Sequence, residues 1–231
     1  MFRMKICNWK LVYPAAIGAA LLLASGAGAQ QAAGSTGNNS GDPSQPSELS
    51  VQVSGVFTRS TTIANAVNPT TVNKHIATNS AGLLVGYRYH FNSWEALEAE
   101  FGYTENGQRY YTPATAGGTS GAAYAITSRM YDLDANEVIT TPRLLGFFQP
   151  FVLAGGGAIA FQPNSNPYGA TTQWRPMFDY GAGLDFHIVH LGARIEYRGL
   201  IFKVPYFGLA ALNTNKYTHI ASPSIGLVLT W

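Results

Sequence analysis

Hydrophobic and polar residues alternate at every second position through much of this chain. The clearest stretch is "GLLVGYRYHFNSWEALEAEFGYTE" at 82–105, where one face is aliphatic and aromatic and the other carries Arg88, His90, Glu98 and Glu100. A period of two residues is typical of a β-strand, whose side chains point alternately to the two faces of a sheet. The pattern therefore predicts a sheet with one apolar face and one charged face.

Similar segments follow one another from residue 50 to the last residue, and they predict about eight strands. The predicted strands cover 50–60, 80–91, 95–105, 124–138, 148–162, 174–187, 190–201 and 217–231. The fourth segment alternates least well, and we expect a β-bulge in it.

The connections between these segments alternate in length, which predicts short turns at one end of the sheet and long loops at the other. Short connections are predicted near 92–94, 139–147 and 188–189. Long connections, rich in Asn, Thr, Gly and Pro, are predicted near 61–79, 106–123, 163–173 and 202–216.

Composition decides which face of the sheet meets water. Charged residues are only 11% of the chain, against roughly 25% in ordinary soluble domains, so there is too little charge to cover a soluble surface. Hydrophobic residues are 46% and the mean hydropathy is only +0.02, which argues against a bundle of membrane helices. We therefore predict an all-β fold, a transmembrane antiparallel up-and-down β-barrel of about eight strands, with its apolar face in lipid and its charged face inside.

The N-terminal segment 1–29 has the order of a cleaved secretory signal peptide. Three basic residues precede the apolar run 11–25, and Ala27 and Ala29 form a small-residue cleavage site before Gln30. The alternative is a retained membrane anchor, but the run is shorter than the ~20 residues that a spanning helix needs. We expect export and cleavage after Ala29.

Residues 30–49 are mostly Gln, Ser, Gly, Asn and Pro, and they predict a disordered periplasmic linker before a barrel domain at 50–231. Without residues 1–29 the chain has 11 basic residues (14 minus 3) against 12 acidic residues. There is thus no basic surface that would indicate a nucleic-acid partner. The single cysteine, Cys7, lies in the predicted signal peptide.

The charged face predicts a network of ion pairs in the lumen. A three-residue turn at 92–94 sets Arg88 opposite Glu98, and a two-residue turn at 188–189 sets Asp179 opposite Arg198. The alternative is that some of these charges lie at strand ends in water. The predicted lumen residues are Arg88, Glu98, Glu100, Asp179, Asp185, Arg194, Glu196 and Arg198.

Two motifs that could indicate an enzyme do not fit their context. Gly155, Gly157 and Ala160 have the spacing of a dinucleotide-binding loop, but Pro163 follows where a helix would have to begin. His219 and Ser222 are three residues apart on a predicted strand and would point to opposite faces. His187 and His190 flank a turn with no further metal ligand in view. We expect no catalytic residue, no cofactor and no metal site.

The last predicted strand alternates up to the final residue, which is aromatic; its outward positions are Ile225, Leu227, Leu229 and Trp231. Together with the signal peptide and the strand pattern, this resembles the eight-stranded outer-membrane barrels of the outer-membrane protein A and opacity-protein type, over 50–231. In that family the last strand is the signal for the assembly machinery, and its final residue is usually Phe. The resemblance implies a structural lumen network and an outer-membrane location. Larger members of that family also have a peptidoglycan-binding domain, which we do not expect here.

We therefore expect a non-catalytic structural protein or surface-interaction scaffold, with four long extracellular loops that could bind an extracellular ligand. Its expected partners are outer-membrane lipid, lipopolysaccharide and the barrel-assembly machinery, and we expect a monomer. The alternatives are a narrow porin-like channel for small solutes and, third, a lipid A-modifying enzyme.

Overall fold

A computed structural model describes residues 46–62, 74–112, 123–144, 147–188 and 190–231. The predicted signal peptide and its cleavage site at Ala27 and Ala29, and most of the predicted linker, lie outside these residues. Within the described ranges, neither of the two short helices is long and apolar enough to cross a membrane.

The described chain is built from ten β-strands and two short 3-10 helices, and its eight longer strands match the eight predicted segments. The helices are Pro167–Gly169 and Ala210–Leu212. The strands are β1 (Ser47–Thr58), β2 (Thr61–Thr62), β3 (Lys74–Ala77), β4 (Ser80–His90), β5 (Glu95–Tyr111), β6 (Ala123–Thr140), β7 (Phe148–Pro163), β8 (Gln173–Ile188), β9 (Leu191–Lys203) and β10 (Tyr217–Thr230).

Each of the eight longer strands pairs antiparallel with two neighbours, so the sheet closes into a barrel. Going round the wall, the order is β1, β4, β5, β6, β7, β8, β9 and β10, and β10 pairs again with β1. The short strands β2 and β3 pair with each other, and β3 extends the wall beside the end of β5. Closure leaves no unpaired edge among the longer strands.

The barrel has two different ends, as the connection lengths predicted. The turn end holds both described ends of the chain and the connection 91–94, and the connections from β6 to β7 and from β8 to β9 leave and rejoin the barrel there. The loop end holds the longer connections 164–172 and 204–216, and the chain between β1 and β4 and between β5 and β6 leaves and rejoins the barrel there.

The wall is longer than the sequence pattern predicted. Strand β1 begins at Ser47, inside the predicted linker 30–49. Strand β5 continues to Tyr111 and β3 lies at Lys74–Ala77, both within predicted loops. These segments are polar, but burial still alternates along β5. Asn106 and Gln108 point inward, so the strand keeps its regular pairing beyond the predicted end.

The predicted bulge in the fourth segment is wrong. Strand β6 runs without interruption, and its pairing with β5 and β7 keeps one register throughout. Burial alternates strictly, but chemistry does not: Met130 and Val138 point inward, whereas Arg129 and Glu137 point outward. The irregular pattern thus reflects mixed chemistry on both faces of a regular strand.

The predicted register of the β8–β9 hairpin is wrong by two residues. Ile188 pairs with Leu191, so the turn is 189–190 rather than 188–189. Arg198 therefore lies opposite Gly181, not opposite Asp179. This register pairs the outward-facing Ile188 with Leu191. It also sets Asp185 directly opposite Arg194, and both of these side chains point inward. A shift of two residues leaves every side chain on its predicted face.

The outer face of the wall is apolar, which answers the question raised by the alternating pattern. Leu83, Leu97 and Leu227 are 47%, 49% and 62% exposed, whereas the charged residues between them are buried. A soluble sheet would show the opposite arrangement. The other outward-facing residues of the strands include Val51, Val53, Phe101, Leu133, Val152, Phe178, Ile195 and Ile225.

The charged residues of the interior lie toward the turn end and the middle of the barrel, and the larger apolar cluster lies toward the loop end. The apolar half contains Phe161, Phe202 and Ile220 from the strands, and the connection 204–216 adds Phe207 and Leu212. All five side chains are at most 1% exposed. The sequence had indicated a polar lumen throughout, but a connection that folds back over the barrel mouth supplies enough apolar surface to form a core there.

Candidate functional site in the barrel interior

The structure brings all eight predicted lumen residues into the barrel interior. Each occupies an inward position of β4, β5, β8 or β9, and none is more than 2% exposed. Side chains from strands on opposite sides of the barrel meet because an eight-stranded interior is only wide enough for side chains to fill.

Two arginines form a cluster near the turn end. Arg88 donates from Nε to Glu98 Oε2 at 2.8 Å and from Nη1 to Asp185 Oδ2 at 3.0 Å. Arg194 donates from Nε to Asp185 Oδ1 at 2.6 Å and from Nη1 to Glu98 Oε2 at 2.8 Å. Both guanidinium groups also lie over the ring of Phe151, at 4.2 Å and 5.0 Å from its centroid. Paired charges and a cation–π contact together offset the cost of burying these groups.

The third arginine, Arg198, organises the middle of the barrel. Its Nη2 lies 2.6 Å from Asp179 Oδ2 and 2.6 Å from Asp134 Oδ2, and its Nη1 donates to Glu100. Asn136 completes the cluster by donating to Asp134 Oδ1 at 2.7 Å and to Asp179 Oδ2 at 2.9 Å. Asp179 thus forms the predicted ion pair with Arg198, but the two residues lie diagonally across the hairpin and are not directly opposite each other.

Two glycines make room for this cluster. Gly155 and Gly157 lie inward on β7, opposite Asn136 and Asp134. A Cβ at Gly157 would collide with the carbonyl oxygen of Leu133 on the neighbouring strand. With Ala160 they lie within strand β7 rather than at a strand–helix junction, so the apparent dinucleotide motif reflects close strand packing.

Several interior residues were missed by the sequence reasoning. Glu48 lies in the predicted linker, yet its Oε2 accepts from Arg194 Nη2 at 2.8 Å, and His90 Nε2 lies 3.0 Å from its Oε1. His187 Nε2 lies 3.4 Å from the same oxygen, so this histidine is also in the interior. Asp132 and Asp134 were also missed. Their spacing of two residues, with Asn136 next, was a usable signal for a polar inward face.

A small cavity separates the charged and apolar halves of the interior. It is bordered by Ser54, Asp132 and Arg198 on one side and by Met130 and Leu200 on the other. Its volume is about 20 Å³, room for a single water molecule.

The residues that could have indicated a hydrolase are not brought together. Ser222 is buried inside the barrel, whereas His219 points outward and its Nε2 lies 3.1 Å from the hydroxyl of Tyr180. A serine nucleophile needs its base within hydrogen-bond reach. Ser222 and His219 therefore cannot act together as a nucleophile and its base.

The residues of the predicted assembly signal all lie on the outer face of the closing strand. Ile225, Leu227 and Leu229 are 56%, 62% and 48% exposed, and Trp231 is 44% exposed. Trp231 also packs near Tyr87, with 6.3 Å between ring centroids.

No protein-family model matches the sequence, and a search of curated proteins found no match. Solved structures do match. The outer membrane protein OprG from Pseudomonas aeruginosa superimposes with a TM-score of 0.53 at 12% identity, over 82% of this chain and 97% of that one. Neisserial surface protein A gives 0.48 at 12% identity, over 79% and 97% of the two chains. Ail of Yersinia pestis, solved with the heparin analogue sucrose octasulfate, gives 0.46 at 16% identity, over 80% and 99%.

At such low identity, the similarity to OprG concerns the fold alone. It agrees with the strand order, the closure of β10 onto β1 and the apolar outer face. The chain therefore has the fold of the eight-stranded outer-membrane β-barrels.

Proposed function

We propose that this protein is a non-catalytic barrel of the outer membrane that anchors surface-exposed connections and does not conduct solutes. The observation that carries this proposal is the burial of Arg88, Arg194 and Arg198, each held by carboxylates from strands across the barrel. Fixed charges that bridge opposite walls leave no open path through that part of the interior.

The outer-membrane location rests on the fold and on the predicted export signal at 1–29. In the outer membrane, the loop end of such a barrel faces the outside of the cell. The four longer connections would then form the variable, ligand-accessible part of the molecule. The apolar outer wall fits contact with lipid and lipopolysaccharide all round, which favours a monomer. The outward face of β10 fits recognition by the barrel-assembly machinery.

Planar-bilayer recording tests the closed lumen. We expect the refolded wild-type protein to show no steady conductance under conditions in which a porin does. A stable conductance would instead support the narrow channel. Mass spectrometry of lipid A from expressing cells tests catalysis, and a modification that is absent from cells without the protein would indicate an enzyme.

Binding assays with loop-deletion variants test the scaffold function. Variants that replace 64–72 or 114–121 with a short Gly-Ser linker should assemble normally, because every barrel strand is retained. We expect such a variant to lose adhesion to host-cell or matrix surfaces that the wild type binds. Equal adhesion of all variants would contradict a role for these connections.

A further inference from the structure

The barrel interior holds many more carboxylates than arginines. Among the described residues, three buried arginines face eight buried carboxylates, a difference of five negative charges. The arginines are Arg88, Arg194 and Arg198, and the acids are Glu48, Glu98, Glu100, Asp132, Asp134, Asp179, Asp185 and Glu196. Buried charge of one sign has to be compensated by an opposite charge or by protons.

The excess is concentrated around Glu196. Seven of the eight acids lie within 4.0 Å of an arginine nitrogen, but Glu196 forms no ion pair with any residue that the structure describes. Its Oε2 accepts a hydrogen bond from Gln52 Nε2 at 3.2 Å. Glu196 projects from β9 toward β5, the strand across the barrel, which carries Glu98 and Glu100.

The three glutamates lie close together, and each has one unpartnered oxygen. One oxygen from each of Glu98, Glu100 and Glu196 lies within 4.8 Å of the others. Glu98 Oε1, Glu100 Oε2 and Glu196 Oε1 are all buried and have no hydrogen-bond partner among the described residues. A buried carboxylate oxygen without a partner is costly, and one on each of three neighbouring glutamates indicates a missing cation.

We propose that Glu98, Glu100 and Glu196 bind one hard divalent cation of the Ca²⁺ class in the barrel interior. Carboxylate oxygens are the preferred ligands of such ions, and Ca²⁺–oxygen distances of about 2.3–2.6 Å allow ligand atoms up to roughly 5 Å apart. The ion would supply two of the five missing positive charges. It would also link β5 to β9 across the barrel, beside the bond from Arg194 to Glu98. Lumen water would complete the coordination.

Glu196→Gln is the most informative variant because Glu196 is bonded to no arginine. The substitution keeps the side-chain shape and the oxygen that accepts from Gln52, while it removes the charge. Asp132→Asn is the matched control, since Asp132 is also buried and lies 3.9 Å from Arg198, but is outside the glutamate triad.

The experiment measures bound metal. Each protein is refolded into detergent with about 1 mM CaCl₂, desalted and analysed by atomic emission, and folding is checked by heat-dependent gel mobility. We expect about one Ca²⁺ per chain in the wild type and in Asp132→Asn. Glu196→Gln should retain at least about tenfold less, since loss of even an outer-shell partner weakens metal binding by that order.

Two results would overturn the proposal. One is a wild type that retains no more Ca²⁺ than a sample refolded with chelator, which would leave protons as the compensating charge. The other is equal retention by Glu196→Gln. If that variant does not fold, the wild type still decides the matter: its thermal midpoint should be higher with Ca²⁺ than with chelator. An unchanged midpoint would refute the site.

Discussion

Arg194 on β9 hydrogen-bonds to Glu98 on β5, at 2.8 Å from Nη1 to Oε2, although these strands lie on opposite sides of the barrel. Arg88 on β4 reaches Asp185 on β8 in the same way. The interior charges therefore form cross-braces between opposite walls in addition to pairs along one hairpin, such as Arg88 with Glu98 and Arg194 with Asp185. Their loss should affect the whole barrel and not a single strand pair.

A double-mutant cycle on Arg88 and Glu98 tests this network. Breaking a buried ion pair by removing one partner typically costs about 3–5 kcal/mol, and water in the lumen should reduce this toward the lower end. Arg88→Ala should cost more than Glu98→Ala, because the interior already has an excess of carboxylates. The double variant should lose less than the sum of the two, as measured by urea unfolding in detergent micelles.

Arg143→Ala is the control for this cycle, because Arg143 is exposed in a connection at the turn end. It should change the free energy of unfolding by less than about 0.5 kcal/mol. Strict additivity of the two interior substitutions would mean that Arg88 and Glu98 are not coupled.

The eight longer strands and their two faces could be predicted from sequence, because a barrel wall between lipid and a packed interior imposes a period of two residues. The register could be predicted only in part. Alternation fixes which face each residue points to, and this excludes a register shift of one residue. A hairpin can still shift by two residues without moving any side chain to the other face. The direct pair of Arg88 with Glu98 was predicted correctly. The pair of Asp179 with Arg198 was not, since Arg198 lies opposite Gly181.

Contacts across the barrel could not be predicted from the pattern, because they depend on strand tilt and stagger. Glu48 was missed because the residues before it in the sequence are mostly polar. The alternation of apolar residues along its strand becomes clear only after this residue. The apolar half of the interior was missed for a different reason. Phe207 comes from a connection, and nothing in the periodicity of the strands indicates that a connection packs into the barrel mouth.

Leu229→Asp should impair assembly, because Leu229 is on the outer face of the closing strand. A charge facing lipid costs up to ~2–4 kcal/mol at the midplane, with Asp toward the low side and less near the interface. Deletion of Trp231 should also reduce assembly. The measurement is the amount of heat-modifiable protein in isolated outer membranes. The control is Tyr168→Asp. Tyr168 lies in an exposed connection and has a positive φ, which Asp tolerates. Membrane levels of Leu229→Asp equal to those of this control would argue against a Leu229 side chain that faces lipid.

Acid should weaken the wall extension at the loop end through His75. Burial lowers the pKa of His75, and its hydrogen bond to Gln108 opposes this only in part. Its Nδ1 is buried without a partner among the described residues. The unfolded chain, with a histidine pKa of about 6.5, then binds a proton that the folded chain does not, so stability falls as the pH drops below that value.

Thermal unfolding at pH about 7.5 and about 5.5 measures this effect by comparison with His75→Gln. The wild type should lose more stability on acidification than the variant, which has no titrating group at this position. An identical pH dependence of the two proteins would show that His75 makes no contribution.

The last prediction concerns the apolar core at the loop end. Phe207 is completely buried and packs edge-on against Tyr110 and Phe161, with 6.4 Å between the ring centroids in each pair. It reaches this position with a φ of 52°, a conformation that costs a non-glycine residue energy and indicates that the packing of the ring holds the backbone there. Phe207→Ala should therefore destabilise the barrel by about 3–5 kcal/mol, less any strain that is released. Tyr217→Ala is the matched control, an aromatic residue that is 65% exposed at the same end of the barrel. Urea unfolding in micelles gives both values, and equal small losses would mean that the connection 204–216 does not pack into the folded barrel in solution.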